Sequence, residues 1–208
     1  MMLNNIDSYV EPFVGGANII DKVQASSRVG YDYDKYVIEL LNHIKTGGDI
    51  PEVVTKENYI DAKAHYIAKD NHYKCWYIAA IGYLTSGTGR IYNGYRAHTL
   101  EKYVAERQIL LEQAKYLRDV QFINDEYKSV SANGSLIYCN IQDEVDNGKL
   151  HETEFWEKVA EWERDNIVIV RCETAPQDYM CVWEDKDSKQ KLYINKVYNI
   201  EHEEDYNF

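Results

Sequence analysis

The stretch Leu136-Ile137-Tyr138-Cys139-Asn140-Ile141-Gln142-Asp143 constrains this chain more than any other. Apolar Leu136 and Ile137 run into Tyr138 and Cys139, and Asn140 then opens a loop. That pattern predicts a buried strand stopped by a polar break. In a doubly wound α/β fold the carboxyl ends of strands are where ligands meet catalytic side chains. Asn140 to Asp143 therefore occupy the place where chemistry is expected.

Composition sets the bounds. At 208 residues the chain is long enough for one domain with a real core and a small inserted subdomain. No apolar run reaches bilayer length. Met1-Met2-Leu3-Asn4-Asn5 has no basic n-region and no long apolar run, so no signal peptide is expected. Cys75, Cys139, Cys172 and Cys181 include no Cys-x-x-Cys pair. They predict reduced core thiols rather than a metal centre or a disulfide framework, and a cytoplasmic protein.

Charge carries more information. The net charge is −12, and a protein that grips duplex DNA wants a basic face to neutralise phosphates. Between Asn140 and Asp165 there are nine acids against three bases, so half of the net charge follows the strand end. DNA is disfavoured as a partner, and a basic protein is favoured. The expected contact acids are Asp143, Glu144, Asp146, Glu157, Glu161 and Asp165, the last three sharing one helical edge by their four-residue spacing.

Read in order, Ser8–Phe13 predicts a short strand, and Val14-Gly15-Gly16-Ala17-Asn18 the turn after it. Ile19–Val23 is expected to begin a helix. Glycines at such a turn let backbone approach a ligand. Arg28–Asp34 predicts a second strand ending in acids, with Asp32 a candidate ribose acceptor and, alternatively, Asp32 and Asp34 both solvated caps before a helix. Val37, Leu40, Leu41 and Ile44 then keep helical spacing up to Gly47-Gly48.

From Thr55 to about Leu117 the chain reads as helical. Thr55 and Thr99 are candidate caps. Leu100, Tyr103, Val104, Arg107, Leu110, Leu111, Ala114 and Leu117 form the expected face of the last helix. Between the helices runs a Gly- and Tyr-rich loop. Its Arg90, Tyr92, Tyr95 and Arg96 are candidates for nucleic-acid contact, with a structural hairpin as the alternative. Val120–Ile123 predicts a strand. Thr153 is expected to cap a helix carrying Phe155, Trp156, Val159, Ala160 and Trp162. Ile167–Val170 reads as a continuous apolar strand of the buried, parallel type.

Several of these segments resemble one family in order. Glu11-Pro12-Phe13-Val14-Gly15-Gly16 is similar to the Glu-Pro-Phe-x-Gly-Gly-Gly segment of the Dam-like DNA N6-adenine methyltransferases, with Ala17 in place of the third glycine. Val120-Gln121-Phe122-Ile123-Asn124-Asp125-Glu126-Tyr127 and Ala175-Pro176-Gln177-Asp178-Tyr179-Met180-Cys181-Val182-Trp183-Glu184 resemble two further family runs. The resemblance implies a class I methyltransferase-like, Rossmann-like doubly wound sheet. Residues 1–54 and 118–208 would form the core, and residues 55–117 a helical insertion similar to a target-recognition subdomain. It implies vestigial S-adenosylmethionine contacts at Phe13, Gly15, Gly16 and Asp32.

The family strand ends in Asp-Pro-Pro-Tyr, whose aspartate and proline carbonyl accept from the adenine amino group and whose tyrosine stacks on the flipped base. Here Asn140, Ile141, Gln142 and Asp143 stand in those places. The family's Lys-Tyr-x-Gly-Gly-Lys lid segment has no counterpart before Ser8. Three readings follow from the resemblance. One is a catalytically inactive, phage-borne protein in the bacterial host cell, binding no cofactor and inhibiting a basic nucleic-acid-handling protein such as a restriction or CRISPR nuclease. Another is a residual binder of DNA or S-adenosylmethionine. The third is a working methyltransferase with an aberrant motif.

Overall fold

The computed structural model describes residues 6–86, 90–95, 99–141, 148 and 150–197. In chain order these form β1 (Ile6–Glu11), β2 (Ala25–Asp32), α1 (Lys35–Lys45), α2 (Lys56–Ala68), α3 (Cys75–Leu84), α4 (Thr99–Gln113), β3 (Val120–Asn124), β4 (Leu136–Asn140), α5 (Glu152–Trp162), β5 (Ile167–Cys172), β6 (Tyr179–Glu184) and β7 (Lys191–Asn195). The fold is α/β, with a seven-stranded, mostly parallel sheet, compatible with a Rossmann-like architecture. No helix among the described residues is long and apolar enough to cross a membrane. The chain divides into two compact units: Met1–Val14, Val23–Tyr31 and Asp125–Phe208, and Gly15–Lys22 with Asp32–Asn124.

The strands of the first unit run in the order β2-β1-β4-β5-β7-β6. β1 pairs in parallel with β2 and β4, and β4 in parallel with β5, setting Asn140 opposite Arg171. β7 is antiparallel to both of its neighbours, β5 and β6. Ile137 and Cys139 point into a core shared with Val168, Val170, Phe155, Val159 and Trp162. Full burial of side chains of this size contributes roughly 1.5–3 kcal/mol each. Trp162 keeps its polar edge satisfied by donating to the Val130 carbonyl at 2.9 Å.

Three expectations are corrected in this unit. α5 is entered from His151, and Thr153 lies inside the first turn, which here has no side-chain cap. Ala160 is exposed, because the buried stripe follows Phe155, Val159 and Trp162 and leaves that position on the outer side. β5 alternates between buried and half-buried residues instead of being buried throughout, and it borders an antiparallel strand on one side.

In the second unit, Asp34 caps α1 by accepting from the Tyr36 N–H at 2.8 Å. The helix ends at Lys45 and is followed by Gly47, with φ of 83°, and Gly48, where a Cβ would lie 2.4 Å from the His43 ring. Thr55 caps α2 in a reciprocal box with Asn58. α3 is buried over Ile78–Gly82 and at Leu84, as its apolar run predicts. β3 accepts from α1, with Lys45 Nζ 2.7 Å from the Val120 carbonyl. The expected face of α4 is only partly right. Tyr103 and Leu110 are buried, but Leu100 and Val104 are 40% and 44% exposed. Gln113 is drawn inside instead, for a reason given below. The expected helix at Ile19–Val23 is a series of turns. Only a few residues separate the glycine turn from β2, too few to repay helix nucleation.

Candidate functional site

Two clusters stand where the sequence predicts a site, one in each unit. The cluster in the second unit is built on the glycine turn. Gly15 takes φ of 46°, and its N–H donates to Asp32 Oδ2 at 3.0 Å. The other oxygen of Asp32 accepts from the Asp34 N–H at 2.8 Å. Asp34 in turn accepts from the Tyr83 hydroxyl at 2.5 Å, and burial together with this carboxylate raises the Tyr83 pKa, keeping it a donor. Gln113 reaches in from α4 and donates to the carbonyls of Gly16 and Ala17 at 3.0 and 2.9 Å. That explains its burial: the turn has carbonyls that need a partner, and the amide supplies it. Ala17 is fully buried with φ of 57°, a left-handed conformation that suits glycine.

The cluster in the first unit lies at the carboxyl ends of β1, β4 and β5. Tyr9 and Glu11 share one face of β1 by their spacing of two. Both are buried, and the Tyr9 hydroxyl donates to Glu11 Oε1 at 2.8 Å. Burial and the carboxylate hold the Tyr9 pKa far above its ordinary value. Burial raises Tyr138 as well, against the opposing effect of Arg171. Cys139 is raised well above the usual thiol range by complete burial and by Glu11. Burial thus favours the protonated forms of both tyrosines and of the thiol, beside the Glu11 carboxylate. Composition alone does not signal this cluster; the i, i+2 pair in β1 and the β4–β5 register do.

Asn140 is half-buried and ends β4. Ile141 continues the strand pairing: its N–H donates to the Arg171 carbonyl at 3.2 Å, and its side chain is 2% exposed within the core. Gln142 and Asp143 lie outside the described residues, as do Glu144, Asp146 and Arg96. Phe13 packs on Tyr127 and Phe155, with ring centroids 5.3 and 5.9 Å away.

Of the loop residues offered for nucleic acid, Tyr92 and Tyr95 make contacts within the unit. Tyr92 is 5% exposed, donates its hydroxyl to the Ile78 carbonyl at 3.1 Å and packs against Tyr59. The Tyr95 hydroxyl donates to the Val54 carbonyl at 3.4 Å. A Cβ at Gly82 would meet Ile91 at 2.4 Å, so that glycine admits the loop onto α3. Arg90 alone of the described candidates stays exposed.

The acids of α5 are less uniform than their sequence suggests. Glu157, Glu161 and Asp165 are exposed, but Glu161 pairs with Lys158 at 2.8 Å and Glu154 with Lys128. Glu163 turns inward: its Oε2 accepts from Tyr179 and Asn195 at 2.9 Å each, and its Oε1 is buried with no partner. Burial raises its pKa despite those two donors. The thiols are all free. Cys139 and Cys172 are buried, whereas Cys181 is exposed on β6, contrary to its expected core position. Among the described residues no group of three His, Cys, Asp or Glu is placed to hold a metal.

Comparison with protein-family models finds no match, and no curated protein matches the chain.

Proposed function

We propose that this chain is a catalytically inactive protein of Dam-like methyltransferase ancestry, with a class I methyltransferase-like fold, that acts by binding a basic, nucleic-acid-handling protein in a bacterial cytoplasm. One observation carries the loss of catalysis. The residue after Asn140 is a buried isoleucine whose N–H extends the β4–β5 pairing. Proline, at this place in the family motif, has no N–H to give. The strand end has been rebuilt as core, and the backbone there is committed to the sheet.

S-adenosylmethionine fits the residues poorly. In the family reading, Asp32 would accept from the ribose and the glycine turn would face the ligand. Here each Asp32 oxygen accepts a backbone N–H, one of them from Gly15 in that turn, so a ribose would have to share both oxygens with the fold, and the buried Ala17 methyl stands where the family has a third glycine. The resulting reading has no cofactor and no methyl transfer. The order β2-β1-β4-β5-β7-β6, with β7 reversed, supports the proposed fold class.

The test is incubation with labelled S-adenosylmethionine and mixed adenine-containing duplexes. No transfer above a protein-free control is expected. Turnover at an enzyme-like rate, about 1 per second or even a hundredth of that, overturns the reading.

A further inference from the structure

A shallow groove of about 650 Å³ opens between α5 and the segment that leads into β6. Its walls are Trp156 and Tyr179, whose ring centroids lie 4.6 Å apart, with Ala175 and Pro176 beside them. Glu152, Glu157 and Asp178 also line it, and among the described residues no Lys or Arg does. The nearest base along the helix, Lys158, is committed elsewhere: it pairs with Glu161 and lies over the Trp162 ring at 5.5 Å. Behind Tyr179 and Asn195, which both line the groove, stands Glu163 with one carboxylate oxygen unpartnered. Aromatic faces, a carboxylate lining and a further acid behind the wall together make a place for a planar cation.

We infer that this groove docks an arginine-bearing extended segment of a partner protein. The guanidinium lies against the Trp156–Tyr179 wall, and its N–H groups reach the carboxylates of Glu152 and Asp178. Arginine is favoured over lysine because a planar guanidinium stacks on aromatic rings and is more weakly hydrated than an ammonium. Phosphates are repelled by the same carboxylates, so nucleic acid is the wrong occupant. The inference rests on the partner-binding reading above and assigns it a place and a chemistry.

The probe is a fluorescein-labelled peptide alternating arginine and glycine, with lysine–glycine and glutamate–glycine peptides alongside, at physiological salt. The arginine peptide should bind at least fivefold more tightly than the lysine peptide, and the glutamate peptide should not bind. Glu152→Lys with Asp178→Lys should weaken arginine-peptide binding at least tenfold. The exposed pair Glu112→Lys with Asp119→Lys makes the same change in net charge in the other unit and should weaken it less than threefold. Trp156→Leu should also weaken binding; if that variant unfolds, Tyr179→Leu takes its place.

Equal weakening by the two charge pairs, equal affinity for arginine and lysine peptides, or no arginine-peptide binding overturns the inference. None of these results bears on methyl transfer. A partner complex that survives the groove substitutions but fails on reversal of Glu161 and Asp165, which do not line the groove, overturns the inference and leaves the wider reading intact.

Discussion

Asp32 does in this chain what a cap does for a helix, because both of its oxygens hold backbone N–H groups of the turns around it. Hydrogen bonds to a charged acceptor contribute about 1.5–3 kcal/mol each when buried, and less in a half-exposed turn such as this. Asp32→Ala should therefore cost about 2 kcal/mol in urea unfolding, and Asp32→Asn about half of that. An unchanged midpoint for Asp32→Ala would show that the turn holds itself. Glu163 makes the opposite case. Its folded pKa is raised above the ordinary value of 4.5. Its contribution to stability is thus present below about pH 4.5 and lost as pH rises through the raised value. Glu163→Gln should be near neutral at pH 4 and raise the melting temperature at pH 7, by roughly 2–4 °C or less given the group's partial exposure. A larger gain at pH 4 than at pH 7 would refute this assignment of burial as the cause.

At the scale of elements, β4 is the strand with the most riding on its last turn. Ile141→Pro removes the donor to Arg171 and a fully packed side chain together. It should cost about 3 kcal/mol or more, read as a shifted denaturant midpoint, and restoring the whole Asp-Pro-Pro-Tyr motif should destabilise the chain rather than revive it. Most elements were legible because their signals are local. Thr55 and Asn58 announce α2, Gly47-Gly48 ends α1, and β4 stops at Asn140. What was not legible depends on partners distant in sequence. Lys191–Asn195 has too little apolar pattern to read as a strand, and it exists because β5 and β6 flank it. Gln113 looks like a surface residue until the carbonyls of Gly16 and Ala17 are seen to need it. Tyr92 and Tyr95 read equally well as nucleic-acid contacts or as parts of a structural hairpin, and it is their hydroxyl bonds to the Ile78 and Val54 carbonyls that favour the second.

Over the whole molecule, the charge of −12 is the property a partner meets first. Opposite charge on a partner steers association mainly through the on-rate and is screened beyond about 8 Å at physiological salt. Reversing Glu157, Glu161 and Asp165 to Lys should leave circular dichroism unchanged, since all three side chains are exposed and, among the described residues, only the Lys158 pair is lost. Such exposed pairs contribute about 0–1 kcal/mol. Partner affinity should fall at least about tenfold, equivalent to about 1.4 kcal/mol, and raising salt should weaken the unmodified complex in the same direction. A triple variant that binds as well as the parent would reduce this face to a solvated surface.

Ala17 bears on how the proposed ancestry can be read. Holding alanine in a left-handed conformation costs about 1 kcal/mol, and burying its methyl group returns about 0.8 kcal/mol. The two nearly cancel, so exchange between glycine and alanine there is close to invisible to selection and records nothing about a lost cofactor. Ile141 is different. With its side chain in the core, any step from it toward proline passes through a less stable protein. Under the proposed ancestry, change at Ala17 would be reversible and change at Ile141 would act as a ratchet.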